Sequence, residues 1–127
     1  MPLVQSFSGI RGIYDDGLDE QVAQKYSSSY LSLLKNKLNK NNGLKIVLGT
    51  DTRLSKDILK DAVVEILDCD IIDIGIASTP QTEFAVRHFK ADGGMIITAS
   101  HNEPYWNGFK FLDKKGQILK PKDMEKV

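Results

Sequence analysis

The chain has 127 residues, of which 41% are apolar and 27% charged, a composition suited to one soluble globular domain built on one core. Its 17 Lys and Arg balance 17 Asp and Glu, so no global basic field exists to draw nucleic acid or an anionic membrane surface, and a phosphate site has to be made from local cations. The single cysteine, Cys69, excludes an internal disulfide and reads as a packed thiol; Met1-Pro2-Leu3-Val4-Gln5 lacks the start of a secretory signal and no apolar run nears the ~20 residues of a membrane helix, so the expected location is cytoplasmic.

Ser6 to Gly17 is rich in Gly, Ser and Asp and reads as a loop. A long helix is predicted from near Asp19 to about Lys40, because Val22, Tyr26, Tyr30, Leu33, Leu34 and Leu38 recur at spacings of three and four. Asn41-Asn42-Gly43 should stop it, the glycine supplying a positive φ. Leu44 to Leu48 is a short apolar run fit for a buried strand, with Gly49-Thr50-Asp51-Thr52-Arg53 as its exit loop. Ser55 is placed to cap the next helix, with Asp57 favourable in its first turn. Ile58, Leu59, Ala62, Val63, Ile66 and Leu67 form that helix's apolar stripe.

Ile71 to Ile76 reads as a second strand, interrupted by Asp73. Thr79-Pro80 reads as an N-cap followed by proline at the first helical position, opening a helix to about Lys90. Gly94 to Thr98 is a third strand. Phe109 to Leu112, a turn through Asp113-Lys114-Lys115-Gly116, and Gln117-Ile118-Leu119 read as a hairpin. Lys120-Pro121-Lys122-Asp123 looks like a helix start, and a single turn ahead of Val127 is too short to bury a face. Strand–helix alternation predicts an α/β layered domain with a largely parallel sheet, and the unfinished last helix suggests a piece of a longer chain.

Ligands of open α/β sheets bind beyond the carboxyl ends of the parallel strands. Three polar loops lie there: Thr50 to Arg53, Ala77 to Pro80, and Ala99 to Gly108. The last is the richest, Thr98-Ala99-Ser100-His101-Asn102-Glu103-Pro104-Tyr105-Trp106-Asn107-Gly108. Ser100 needs a base or a metal to act as a nucleophile. Adjacent side chains on an extended backbone point to opposite sides, so His101 need not be the base for Ser100 and is also a candidate acid or base toward a bound substrate. Lys110 adds positive charge beyond the loop. Near the N-terminus, Ser8-Gly9-Ile10-Arg11-Gly12 sets an arginine fork between small residues, where it can reach a phosphate. Each element alone is more often an ordinary surface turn than a site.

Taken together and in this order, Ser8-Gly9-Ile10-Arg11-Gly12, Gly49-Thr50-Asp51-Thr52-Arg53, Thr79-Pro80, Gly93-Gly94 through Thr98-Ala99-Ser100-His101-Asn102, and Asn107-Gly108-Phe109-Lys110 resemble the first domain of the α-D-phosphohexomutase family. The resemblance covers nearly the whole chain. It implies a three-layer α/β/α domain with a mixed, mainly parallel sheet, one of four domains around a cleft. It implies that Ser100 carries a phosphoryl group, gives it to a hexose 1- or 6-phosphate, and receives it back from the hexose 1,6-bisphosphate. His101 and Lys110 match acid–base or charge-stabilising positions, and Arg11 and Ser8 match the N-terminal active-site loop. Asn102 would shape the serine loop, and Asp51 and Arg53 would brace it. A Mg²⁺ ion would touch the phosphate on Ser100, its other ligands coming from an Asp-Gly-Asp-X-Asp-Arg run that this chain lacks.

Some positions depart from the family pattern. Glu103 stands where the family usually has proline, with Pro104 next; Trp106 replaces a tyrosine; Thr50 replaces a residue that is often larger and basic. Thr98 before Ala99 leans toward glucose or mannose phosphate. The chain is expected to be inactive without the remaining domains. A haloacid-dehalogenase-type phosphatase would want a second aspartate where Arg53 stands, and a serine hydrolase would want Gly-X-Ser-X-Gly around Ser100. The main alternative is a non-catalytic phosphosugar-binding or regulatory domain derived from a mutase.

Overall fold

The computed structural model describes residues 3–6, 9–14, 17–51, 56–98, 106–124 and 127. Among them the order is β1 (Val4–Ser6), β2 (Gly9–Tyr14), β3 (Gly17–Leu18), α1 (Glu20–Leu38), β4 (Lys45–Thr50), α2 (Lys56–Ile66), β5 (Asp70–Ile76), α3 (Thr79–His88), β6 (Gly93–Ile97), β7 (Trp106–Leu112) and α4 (Pro121–Met124). One mixed sheet runs β1-β2-β7-β6-β4-β5, with β3 against β2. Strands β5, β4 and β6 are parallel, as are β2 and β3; β7 joins β6 and β2 antiparallel, and β1 joins β2 antiparallel.

Side-chain alternation on the central strands creates two cores and so three layers. Ile46 and Leu48 of β4, Met95 and Ile97 of β6, and Phe109 and Phe111 of β7 pack with Tyr30 and Leu34 of α1 and Leu59 and Val63 of α2. Val47, Ile96 and Leu112 face the other way, onto Ala85 and Val86 of α3. The layered α/β/α expectation is met.

The segment Ser6 to Gly17, expected to be a loop, instead supplies strands. Ile10 is fully buried beside Phe109, its register partner on β7. The glycines that suggested a loop mark close backbone approach: at Gly9, φ is 137° and a Cβ would run into the Phe109 carbonyl.

Helix α1 starts where expected, with Asp19 Oδ1 accepting the Val22 N–H at 2.9 Å. It stops earlier than Gly43, because Asn39 takes the left-handed conformation at φ 53° and its N–H caps the last turn. The cap of α3 is Ser78, one residue before the expected Thr79. Its hydroxyl accepts the Gln81 N–H at 3.1 Å, and the Gln81 side chain accepts the Ser78 N–H at 2.8 Å.

The α2 stripe is narrower than the pattern suggested. Leu59, Ala62, Val63 and Leu67 are buried, while Ile58 and Ile66 are 47% and 41% exposed. The predicted hairpin after β7 forms but is short: Leu112 bridges Ile118, flanked by the Leu119 N–H on the Phe111 carbonyl at 3.0 Å and the Asp113 N–H on the Gln117 carbonyl at 2.8 Å. Its turn also docks on α3, with Arg87 Nη1 donating to the Lys115 carbonyl at 3.3 Å. The short α4 does bury a side chain, Met124, which joins the core under α1.

Candidate functional site

β4 and β6 pair as far as Thr50 and Ile97. One more rung follows at the carboxyl edge, where the Asp51 N–H donates to the Ile97 carbonyl at 3.1 Å. The Thr98 N–H donates to the Gly108 carbonyl at 2.8 Å, closing β6 against β7. The Thr98 hydroxyl donates to Asp51 Oδ2 at 2.7 Å. On the far side of β7, Gly108 faces Arg11 in register. Arg11, Gly108, Thr98 and Asp51 therefore form one row across four neighbouring strands, whose ends lie about 14 Å apart at ~4.8 Å per strand.

Alternation decides which way the cations point. Phe109 and Phe111 enter the core, so Gly108 and Lys110 lie on the opposite face of β7. Ile10 enters the same core, so Arg11 shares that opposite face, diagonally across from Lys110. Both side chains are half-buried. Gly108 marks the close approach of β7 to β2: a Cβ there would run into the Ile10 carbonyl and stand 3.0 Å from Arg11 Cγ. Asn107, fully buried, accepts the Gly108 N–H on its side-chain oxygen at 2.9 Å. A guanidinium fork and an ammonium on one face of the sheet edge suit a phosphate group.

Of the predicted site residues, the structure brings Arg11, Asp51 and Lys110 to this edge. Ser8, Arg53, Ser100, His101 and Asn102 lie outside the described residues. The two ends of the 99–105 segment are described, and they are pinned at Thr98 and by the pairing of β7. Sequence reasoning missed the anchoring part played by Thr98 and the close approach at Gly108. The available signal was a hydroxyl residue at the end of a buried strand, level with an aspartate at the end of its parallel neighbour. Cys69 is half-buried, and burial pushes its thiol up to about 11, so it stays protonated near neutral pH.

A mixed α/β/α sheet with an arginine and a lysine on one face near its carboxyl edge defines an α/β domain with a cationic edge. Residues 4–127 match the model of phosphoglucomutase/phosphomannomutase α/β/α domain I, and the chain belongs to that family. It is 44% identical over 115 residues to a phosphoglucomutase/phosphomannomutase of Thermococcus kodakarensis, covering 88% of this chain and 25% of that protein. It is 37% identical over 114 residues to the phosphoglucosamine mutase of Clostridium acetobutylicum, covering 87% of this chain and 25% of that protein. The crystal structure of a phosphoglucomutase/phosphomannomutase family protein from Burkholderia thailandensis superposes with a TM-score of 0.78 at 26% identity, over 96% of this chain and 29% of that one. The chain thus spans about a quarter of the length of the curated relatives it matches.

Proposed function

We propose that this chain is the phosphoserine-bearing domain of a hexose-phosphate mutase, with Ser100 as the phosphoryl carrier. The observation that supports this most is the pinned carboxyl edge. Thr98 and Gly108 hold the ends of the segment that contains Ser100, and Arg11 and Lys110 share the face beside it.

In the proposed cycle a hydroxyl of a hexose 1- or 6-phosphate attacks the phosphorus on Ser100. The Ser100 Oγ–P bond breaks as the new O–P bond forms, and a neighbouring base, His101 or Lys110, takes the hydroxyl proton. That group passes the proton on to the freed Ser100 Oγ, takes it back as the bisphosphate returns its other phosphoryl group to Ser100 Oγ, and gives it to the departing sugar oxygen. Arg11 holds a non-transferring or arriving phosphate through its fork, Ser8 and Asn102 add hydrogen bonds, and Arg53 braces the loop. Among the described residues no group of three or more His, Cys, Asp or Glu stands together to hold a metal ion. The Mg²⁺ of the family would meet this chain through the phosphate on Ser100, where its chemistry would be neutralising phosphoryl charge. Glucose and mannose phosphates are the proposed substrates, within a family whose relatives also include phosphoglucosamine mutases.

Intact-mass measurement with peptide mapping on the native protein, paired with turnover of glucose 1-phosphate, mannose 1-phosphate and glucosamine 1-phosphate, tests the reading. Phosphate on Ser100 and loss of turnover in Ser100→Ala are expected. A native protein whose Ser100 never carries phosphate, and whose turnover survives Ser100→Ala, overturns it.

A further inference from the structure

Thr98 and Asp51 are joined in a way the sheet does not require. Main-chain bonds already carry the pairing of β4 with β6 through Thr50 and Ile97 and on to the Asp51 N–H. Main-chain bonding also closes β6 against β7 at Thr98 and Gly108. The bond from Thr98 Oγ1 to Asp51 Oδ2, at 2.7 Å, is added on top of a finished ladder. It has a charged acceptor, which makes it stronger than a neutral pair. Its donor is 7% exposed, so little water competes for it. What it adds is orientation. A β-branched side chain is stiff at χ1, and holding its oxygen on a carboxylate fixes the rotamer and, with it, the direction in which the main chain leaves the strand.

We propose that Thr98 and Asp51 form a positioning pair that sets Ser100 for phosphoryl transfer. The proposal rests on the reading of Ser100 as the phosphoryl carrier, and it extends that reading to a residue, Thr98, on the strand. Ser100 follows the anchored Thr98 by two residues in the sequence. Phosphoryl transfer depends almost wholly on alignment and charge, and displacement of a reacting group by about 1 Å can cost about 100-fold. Neither Thr98 nor Asp51 touches the reacting atoms in this proposal; both act through the chain that carries Ser100.

The test uses the full-length protein and compares Thr98→Val, Thr98→Ser and Asp51→Ala, with Thr98→Val also combined with Asp51→Ala. Three quantities are read: kcat, KM for hexose 1-phosphate, and the phosphorus-31 resonance of the phosphoserine. Thr98→Val is expected to lower kcat about tenfold or more with KM changed less than about twofold, and to move the phosphorus resonance. Thr98→Ser, which keeps the hydroxyl and gives up the methyl, is expected to restore kcat to within about twofold. The double variant is expected to lose no more than the worse single variant, because both remove one interaction.

Equal losses in the Val and Ser variants would assign Thr98 to packing alone and overturn the pair. So would a Thr98→Val protein with wild-type kcat and an unmoved resonance, which leaves the mutase reading standing. A wild-type protein without phosphoserine or turnover sinks that reading and the positioning pair together.

Discussion

The Tyr30 hydroxyl is fully buried between α1 and the β6–β7 pair. It lies 2.5 Å from the Leu112 carbonyl and 3.0 Å from the Gly94 carbonyl, and it accepts the Gly94 N–H at 2.9 Å. Burial raises its pKa above the ordinary phenol range, so it remains a neutral donor. Tyr30→Phe would strand those partners in the core, at a cost of about 2 kcal/mol, read as a lower urea midpoint at unchanged slope. Gly93 lies under the same hydroxyl, and a Cβ there would collide with it and come within 2.9 Å of Leu34 Cδ1. Gly93→Ala should therefore cost more than Tyr30→Phe, and the double variant should cost clearly less than the sum of the two. Strict additivity would show that the hydroxyl is not what excludes a side chain at Gly93. The helical spacing placed Tyr30 on the apolar stripe, but the targets of its oxygen lie 64 and 82 residues away, beyond the reach of any local pattern.

Helix boundaries show where local reading succeeds and where it slips. The 3.6-residue period found α1 and α2 because each buries one face on the sheet, whereas α3 was found from its start signal, Thr79-Pro80. The start of α3 was misplaced by one residue, since Ser78, Thr79 and Pro80 all favour a helix start. The Gln81 side chain decides in favour of Ser78, by reaching back to the Ser78 N–H at 2.8 Å. Ser78→Ala is accordingly expected to cost about 1 kcal/mol and Thr79→Ala much less, measured by thermal melts of the two variants side by side; equal losses would return the cap to Thr79. Strands β1, β2 and β3 were not legible, because their identity comes from partners rather than from composition. β2 contains two glycines and an arginine, and becomes a strand only because β1 and β7 zip onto its two edges. The same holds for the site. Asp51 and Thr98 are 47 residues apart, and only the parallel pairing of β4 and β6 brings both to the end of the sheet together.

At the scale of the whole molecule, the cores and the chemistry are divided differently. Two apolar clusters, one on each face of a single sheet, give the 127 residues the means to fold as a unit. The carboxyl edge holds an arginine, a lysine and the Thr98–Asp51 hydrogen bond, but the described residues form no metal-ligating cluster. The relatives are about four times as long, since matched segments make up 25% of their length. Phosphoryl transfer to a sugar needs the acceptor held in line and the charge on the phosphoryl oxygens neutralised, both while water is kept out. Among the described residues, a sheet edge with two cations supplies none of these alone. The isolated chain is therefore expected to unfold in one cooperative urea transition and yet show no conversion of hexose 1-phosphate to hexose 6-phosphate at any Mg²⁺ concentration. A full-length protein containing it should convert the sugar and lose that activity in Ser100→Ala. Sustained turnover by the isolated chain would mean that its own residues complete the site, and would relocate acceptor binding and charge neutralisation to the edge formed by Arg11, Lys110 and Asp51.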